Sequence, residues 1–176
     1  EKLAAFTAAE NLKAELVQEG DAFRATVIGK SAHGSTPELG LNAATYLAKF
    51  LDQFAFDGAA KVYLDVTANV LHKDFAGENL GVAYTDAKMG ALSMNAGVFK
   101  FDRNSDDNTI TLNFRYPQGT DSQTIKAELE KLNGVTKVTL SDHEHTPHYV
   151  PADDPLVSTL LSVYEKQTGL KGYEQV

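Results

Sequence analysis

Three places in this chain carry side chains suited to chemistry: His33, Arg115 and a late group of histidines. His33 stands in the run Ser31-Ala32-His33-Gly34-Ser35-Thr36-Pro37-Glu38-Leu39-Gly40-Leu41-Asn42-Ala43-Ala44. The run marks a strand-to-helix junction, punctuated by Pro37 and Gly40 and ended by Asn42, which opens an apolar helix. Small neighbours leave the imidazole uncovered, so it can reach a group outside its own domain. The plainer alternative is a loop histidine that caps the next helix or faces water. Arg115 lies in Leu112-Asn113-Phe114-Arg115-Tyr116-Pro117. Alternation puts it on the polar side of a strand, opposite Leu112 and Phe114, where pattern alone reads it as a solvated residue. Asn95, in Ser93-Met94-Asn95-Ala96-Gly97, reads by pattern as an ordinary exposed strand residue.

His143, His145 and His148 form an H-x-H-x-x-H group with Glu144 among them. Histidines two apart on a strand share a face, so a metal site is conceivable. Thr146, Pro147 and Pro151 surround the group, and no carboxylate at fixed spacing completes it. It reads as a solvated strand end. The chain has no cysteine, which excludes a disulfide scaffold, a thiol nucleophile and Cys-ligated zinc. No phosphate loop, G-x-S-x-G elbow or dinucleotide fingerprint is present.

The elements that would position these residues follow from periodicity. Residues 1–10 are alanine-rich and helix-favouring, with Leu3 and Phe6 at i, i+3 spacing. Residues 11–18 and 21–29 flank Glu19-Gly20 and read as a hairpin. After the histidine loop, Ala43, Leu47, Phe50 and Phe54 mark one helical stripe. Residues 58–71 fit either a helix or a strand, since Val62, Val66 and Val70 have helical spacing but are β-branched. A polar stretch at about 72–90 follows. Leu92, Met94, Ala96 and Val98 then alternate with polar or small residues, as do Ile110, Leu112, Phe114 and Tyr116. The turn-rich segment 102–108 joins these two runs as a hairpin. Thr120 and Gln123 suggest a capping box for a helix bearing Ile125, Leu129 and Leu132, with Gly134 as its stop. Val138 and Leu140 suggest a last short strand. Asp154-Pro155 opens a further helix that ends at Gly169. The class is α+β: a ferredoxin-like βαββαβ antiparallel sheet with helices on one face. An N-terminal helix, an extra strand and a C-terminal helix are added to it.

The chain's 176 residues suffice for one domain with a real core. An apolar content of 43% and a charged content of 23% are those of an ordinary globular protein. The net charge of −8 argues against nucleic acid and anionic membrane as partners. No apolar run approaches the ~18 residues needed to span a bilayer. Absence of cysteine fits a reducing cytoplasm. The start at Glu1 and the unfinished-looking strand at Gln175-Val176 read as a piece of a longer protein.

The His33 run resembles the lid-domain histidine motif of the dinuclear zinc peptidases, the family of carboxypeptidase G, aminoacylase and succinyl-diaminopimelate desuccinylase. The wording is most similar to that of the PepV-type dipeptidases. The likeness runs from the first helix through Pro117-Gln118-Gly119-Thr120-Asp121 to His148-Tyr149-Val150-Pro151 and Tyr164-Glu165-Lys166-Gln167-Thr168-Gly169. It implies that residues 1–150 are a lid over the substrate and that 151–176 begin the return to a catalytic domain. It implies that His33 donates a hydrogen bond to the scissile carbonyl oxygen, as oxyanion stabilisation. By the same resemblance Arg115 binds the substrate's carboxylate bidentately, and Asn95 stands in a substrate-contacting T-x-N-x-G-like strand. The implied reaction is hydrolysis of a dipeptide by water activated on two zinc ions in the catalytic domain. The implied partners are the dipeptide and that domain.

His72-Lys73-Asp74 looks like the family's H-x-D metal motif, but it follows His33 and sits in a polar loop, so we reject it. No Glu-Glu pair is present. We therefore expect no catalytic metal on this chain and a solvent-accessible His33 without a strong partner in its own domain. The helix after Asp154 should present an apolar face that either packs on a second copy, giving a homodimer, or is poorly ordered. The competing reading is a non-catalytic ferredoxin-like binding or dimerisation module.

Overall fold

The alanine-rich start forms helix α1 (Lys2–Ala9) in the computed structural model, which describes residues 1–173. Leu3 is buried, and the Phe6 ring packs on Phe50 at 5.6 Å between centroids. Strands β1 (Lys13–Glu19) and β2 (Ala22–Ile28) pair antiparallel, and Gly20 supplies the positive φ of +63° that a two-residue hairpin turn requires. Helix α2 (Ala43–Leu51) follows the histidine loop. The ambiguous segment resolves as helix α3 (Gly58–Asp65), which continues into a π-helical turn at Val66–Val70. Helical spacing prevails because it turns Val66 and Val70 onto the core.

The stretch at 72–90 is more than a polar insert. Asp74 is buried, and its carboxylate accepts the backbone N–H groups of Ala76, Gly77, Glu78 and Asn79 at 2.8–3.3 Å. The turn so formed delivers Leu80 and Val82 into the core. There they meet Leu71, Leu92, Met94, Ala96, Ile125 and Leu129. A small ladder, β3 (Thr85–Asp86) with β4 (Gly90–Ala91), leads on.

Strands β5 (Ser93–Lys100) and β6 (Thr109–Arg115) form the expected hairpin. Its register pairs Met94 with Phe114 and Ala96 with Leu112 on the core face, and Ser93 with Arg115 and Asn95 with Asn113 on the other. A bulge between Ala96 and Val98 breaks the predicted alternation, so Val98 faces solvent (60% exposed) and Phe99 packs on the core instead. Helix α4 (Ser122–Leu129) is capped by Asp121, whose Oδ1 accepts the Thr124 N–H at 2.7 Å, one position later than the Thr120 box suggested.

Mixed helix and strand content gives an α+β chain, but among the described residues strands pair only within hairpins. Among the described residues no ladder joins the hairpins into one sheet. After Ile28 the chain turns its backbone groups to Leu41 rather than to β5: Lys30 N–H and C=O bond Leu41 C=O and N–H at 3.0 and 2.8 Å. The facing carbonyl of Ala96 accepts from the Asn42 side chain at 2.7 Å. Val138 reaches the core, yet 135–140 makes no ladder, so the predicted last strand is absent.

Helix α5 (Pro155–Thr168) starts where Asp154 accepts the Leu156 N–H at 2.8 Å and ends at left-handed Gly169. It is a continuous helix. Its Leu156 and Leu160 are 67% and 59% exposed. No helix among the described residues is long and apolar enough to cross a membrane. The strand read at Gln175-Val176 lies outside the described residues.

Candidate functional site

The loop that carries His33 is pinned at its base by the Lys30–Leu41 pair. Closure needs Gly29, because a Cβ there would stand 2.6 Å from the Leu41 carbonyl oxygen. Asn42 fastens the far end twice. Its Oδ1 accepts from Thr45 N–H to cap α2, and its Nδ2 donates to Ala96 of β5. Pro37 is buried in the short 3-10 turn between. The loop tip is thus held against the outer face of the β5–β6 hairpin.

His33 is exposed, as its small neighbours implied. It is not without a partner. Nδ1 lies 2.7 Å from Ser35 Oγ and 3.4 Å from the Ser35 backbone N. The expected absence of a strong partner is therefore corrected: the i, i+2 turn, closed by Thr36 N–H on the His33 carbonyl at 3.0 Å, folds Ser35 back onto the ring. No described residue bonds Nε2.

Arg115 is exposed and, among the described residues, its side chain makes no hydrogen bond or ion pair. In a chain with 24 acidic and 16 basic residues, a guanidinium left without a carboxylate is a free anion-binding fork. The His33 loop comes to it at Gly34. A Cβ on Gly34 would lie 3.6 Å from Arg115 Nε, 3.7 Å from its second terminal nitrogen and 3.8 Å from Asn113 Oδ1. So the structure brings the loop that carries His33 beside Arg115 at Gly34. Asn95 is opposite Asn113 in register on the same face, half-buried, and farther along the hairpin from Arg115. Sequence reasoning passed over Asn113. Its place two residues before Arg115 on a strand was the available signal.

The late histidines do not build a metal centre. Among the described residues no three His, Asp or Glu side chains converge as a metal would need. Glu144 instead takes a hydrogen bond from the Tyr116 hydroxyl, beside Arg115. Burial, then that bond, pushes the Tyr116 hydroxyl up to about 12. Bonds from Tyr116 and then Ser122 hold the Glu144 carboxyl below the usual carboxylate range. The lowered Glu144 makes the tie present above the ordinary carboxylate value and lost as pH falls through the depressed one. The raised Tyr116 keeps it until pH climbs through about 12. Segment 141–148 should therefore stay docked across the neutral range and become protease-sensitive in acid. Tyr116→Phe should release it already at neutral pH, read by limited proteolysis.

The rejected His72-Lys73-Asp74 motif is occupied structurally. His72 Nδ1 lies 3.0 Å from Thr45 Oγ1, its ring stands edge-on to Tyr46 at 4.6 Å, and burial lowers its pKa. Asp74 spends both oxygens on backbone N–H groups.

Residues 21–137 match the model of the peptidase dimerisation domain. The chain is 48% identical over 151 residues to the β-Ala-Xaa dipeptidase of Lactobacillus delbrueckii subsp. lactis, covering 85% of this chain and 32% of that protein. It is 31% identical over 159 residues to "Putative dipeptidase YtjP" of Bacillus subtilis, covering 90% of this chain and 34% of that protein. The chain belongs to the peptidase dimerisation domain family, the lid domain of its peptidases. Its homology within that family is to the PepV-like dipeptidases. It spans about a third of the length of these relatives.

Proposed function

We propose that this chain is the substrate-capping lid of a cytoplasmic, zinc-dependent dipeptidase. His33 donates through Nε2 to the scissile carbonyl oxygen, and Arg115 receives the dipeptide's carboxylate. Asn95 lines the same strand face as a secondary contact. The observation that carries this reading is the unpaired Arg115 guanidinium lying against the His33 loop at Gly34. One ledge then offers a fork for a carboxylate and a single N–H for a carbonyl, two groups that a dipeptide holds close together.

The two zinc ions and the general base belong, in this reading, to a catalytic domain outside residues 1–150. Residues 151–176 begin the return to that domain. Its surface would cover the apolar stripe of α5. Closure of the lid would exclude water from the cleft. The ferredoxin-like arrangement belongs to the same reading, with the β5–β6 hairpin as its central pair.

The test is substrate selectivity in the full-length enzyme. Arg115→Lys keeps the charge but loses the planar fork, and should raise KM for a free-acid dipeptide roughly 10- to 100-fold. The dipeptide amide should be little affected. Equal effects on acid and amide would remove the carboxylate role.

A second copy of the chain is a further partner that one surface favours. Leu16 and Phe23 are 50% and 66% exposed on one face of the β1–β2 hairpin, as diagonal neighbours across its register. On the non-catalytic reading, this face would be the chain's main business, and Arg115 substitutions would leave turnover unchanged.

A further inference from the structure

We propose that Ser35 is a positioning residue that sets the tautomer of His33, keeping the ring proton on Nε2. The inference deepens the reading of His33 as a hydrogen-bond donor and rests on it for its functional meaning.

A neutral imidazole has one N–H, and only that nitrogen can donate. Two groups of Ser35 face Nδ1: the hydroxyl at 2.7 Å and the backbone N–H at 3.4 Å. A hydroxyl can donate or accept, so by itself it decides nothing. A backbone N–H can only donate. A proton on Nδ1 would point at it, while a lone pair there receives it. The hydroxyl then rotates to donate as well, and the proton is left on Nε2. That nitrogen has no partner among the described residues and belongs to an exposed ring. The turn closed by Thr36 N–H on the His33 carbonyl holds Ser35 in this position. The backbone N–H sets the preference, and the side chain at position 35 either reinforces it, as a hydroxyl does, or opposes it. A donor at Nδ1 makes Nε2 an electrophilic hydrogen-bond donor. A carboxylate there would accept a hydrogen bond from Nδ1–H, so the ring proton would sit on Nδ1 and Nε2 would be a base.

Two-bond 1H–15N correlation spectra of the 15N-labelled chain, in alkaline buffer where imidazole is neutral, read each ring nitrogen as protonated or not. The wild-type chain should show His33 with Nδ1 bare and Nε2 protonated. Ser35→Thr should keep that pattern. Ser35→Ala should move the two nitrogen shifts toward each other, and Ser35→Asp should invert them. A wild-type His33 with a protonated Nδ1, or a spectrum indifferent to all three substitutions, overturns the proposal.

In the full-length enzyme Ser35→Asp should lower kcat about 10- to 100-fold with KM little changed, and Ser35→Thr should keep kcat near the wild-type value. If the spectra behave as stated while kcat ignores both Ser35→Asp and His33→Ala, the tautomer assignment holds. The donor role of His33 is then what fails.

Discussion

His33→Ala should lower kcat of the full-length enzyme about 10²- to 10³-fold, a loss of roughly 3–4 kcal/mol in barrier lowering, with KM nearly unchanged. The split between the two constants is the informative part. A hydrogen bond to a ground-state carbonyl is ordinary, but the same bond to an oxygen gaining negative charge is much stronger. Its removal therefore acts on the transition state and spares substrate binding. The geometry supports this: an exposed His33 whose Nε2 has no partner among the described residues, on a loop tied down at Lys30–Leu41 and Asn42, does not have to reorganise to donate. Steady-state kinetics on a free-acid dipeptide measure it. A variant with unchanged kcat and raised KM would make His33 a simple binding contact.

Asp74→Ala should destabilise the chain by about 3 kcal/mol or more. Four backbone N–H groups would lose their acceptor, at least one of them in a buried position. The cost of orphaned buried donors exceeds the net worth of the bonds they made. The turn that seats Leu80 and Val82 would also loosen, which adds lost apolar burial. For a chain of this size about 3 kcal/mol lowers Tm by roughly 6–12 °C. Asp74→Asn should cost less, since its carbonyl oxygen keeps the bonds of Ala76, Gly77 and Glu78 and only the Asn79 N–H is left facing an amide. Thermal and urea melts of the two variants separate these cases. Equal stability of Asp74→Ala and the wild type would show that the turn holds without its carboxylate.

Much of this protein is legible from local chemistry in the sequence. Turn residues and alternation locate both main hairpins, Asn42 and Asp154 announce their helices, and the small residues around His33 foretell its exposure. The alternation Leu112, Phe114 against Asn113, Arg115 correctly assigns the polar face of β6. Each of these is decided by neighbours within a few positions, where propensity, capping and period act.

The tertiary structure alone decided the remainder. It placed Gly34 against Arg115 and Asn113, far away in sequence, because Gly29 and Asn42 let the loop close onto β5. A bulge at Ala96/Val98 turned an apolar residue outward, and Asp74 converted a polar stretch into part of the core. Hydrogen bonding and close packing between distant segments have no period to be read along the chain. The sequence by itself determined which residues were available for the site. Long-range packing determined that the His33 loop meets Arg115 at Gly34, while the local turn determined that Ser35 faces Nδ1.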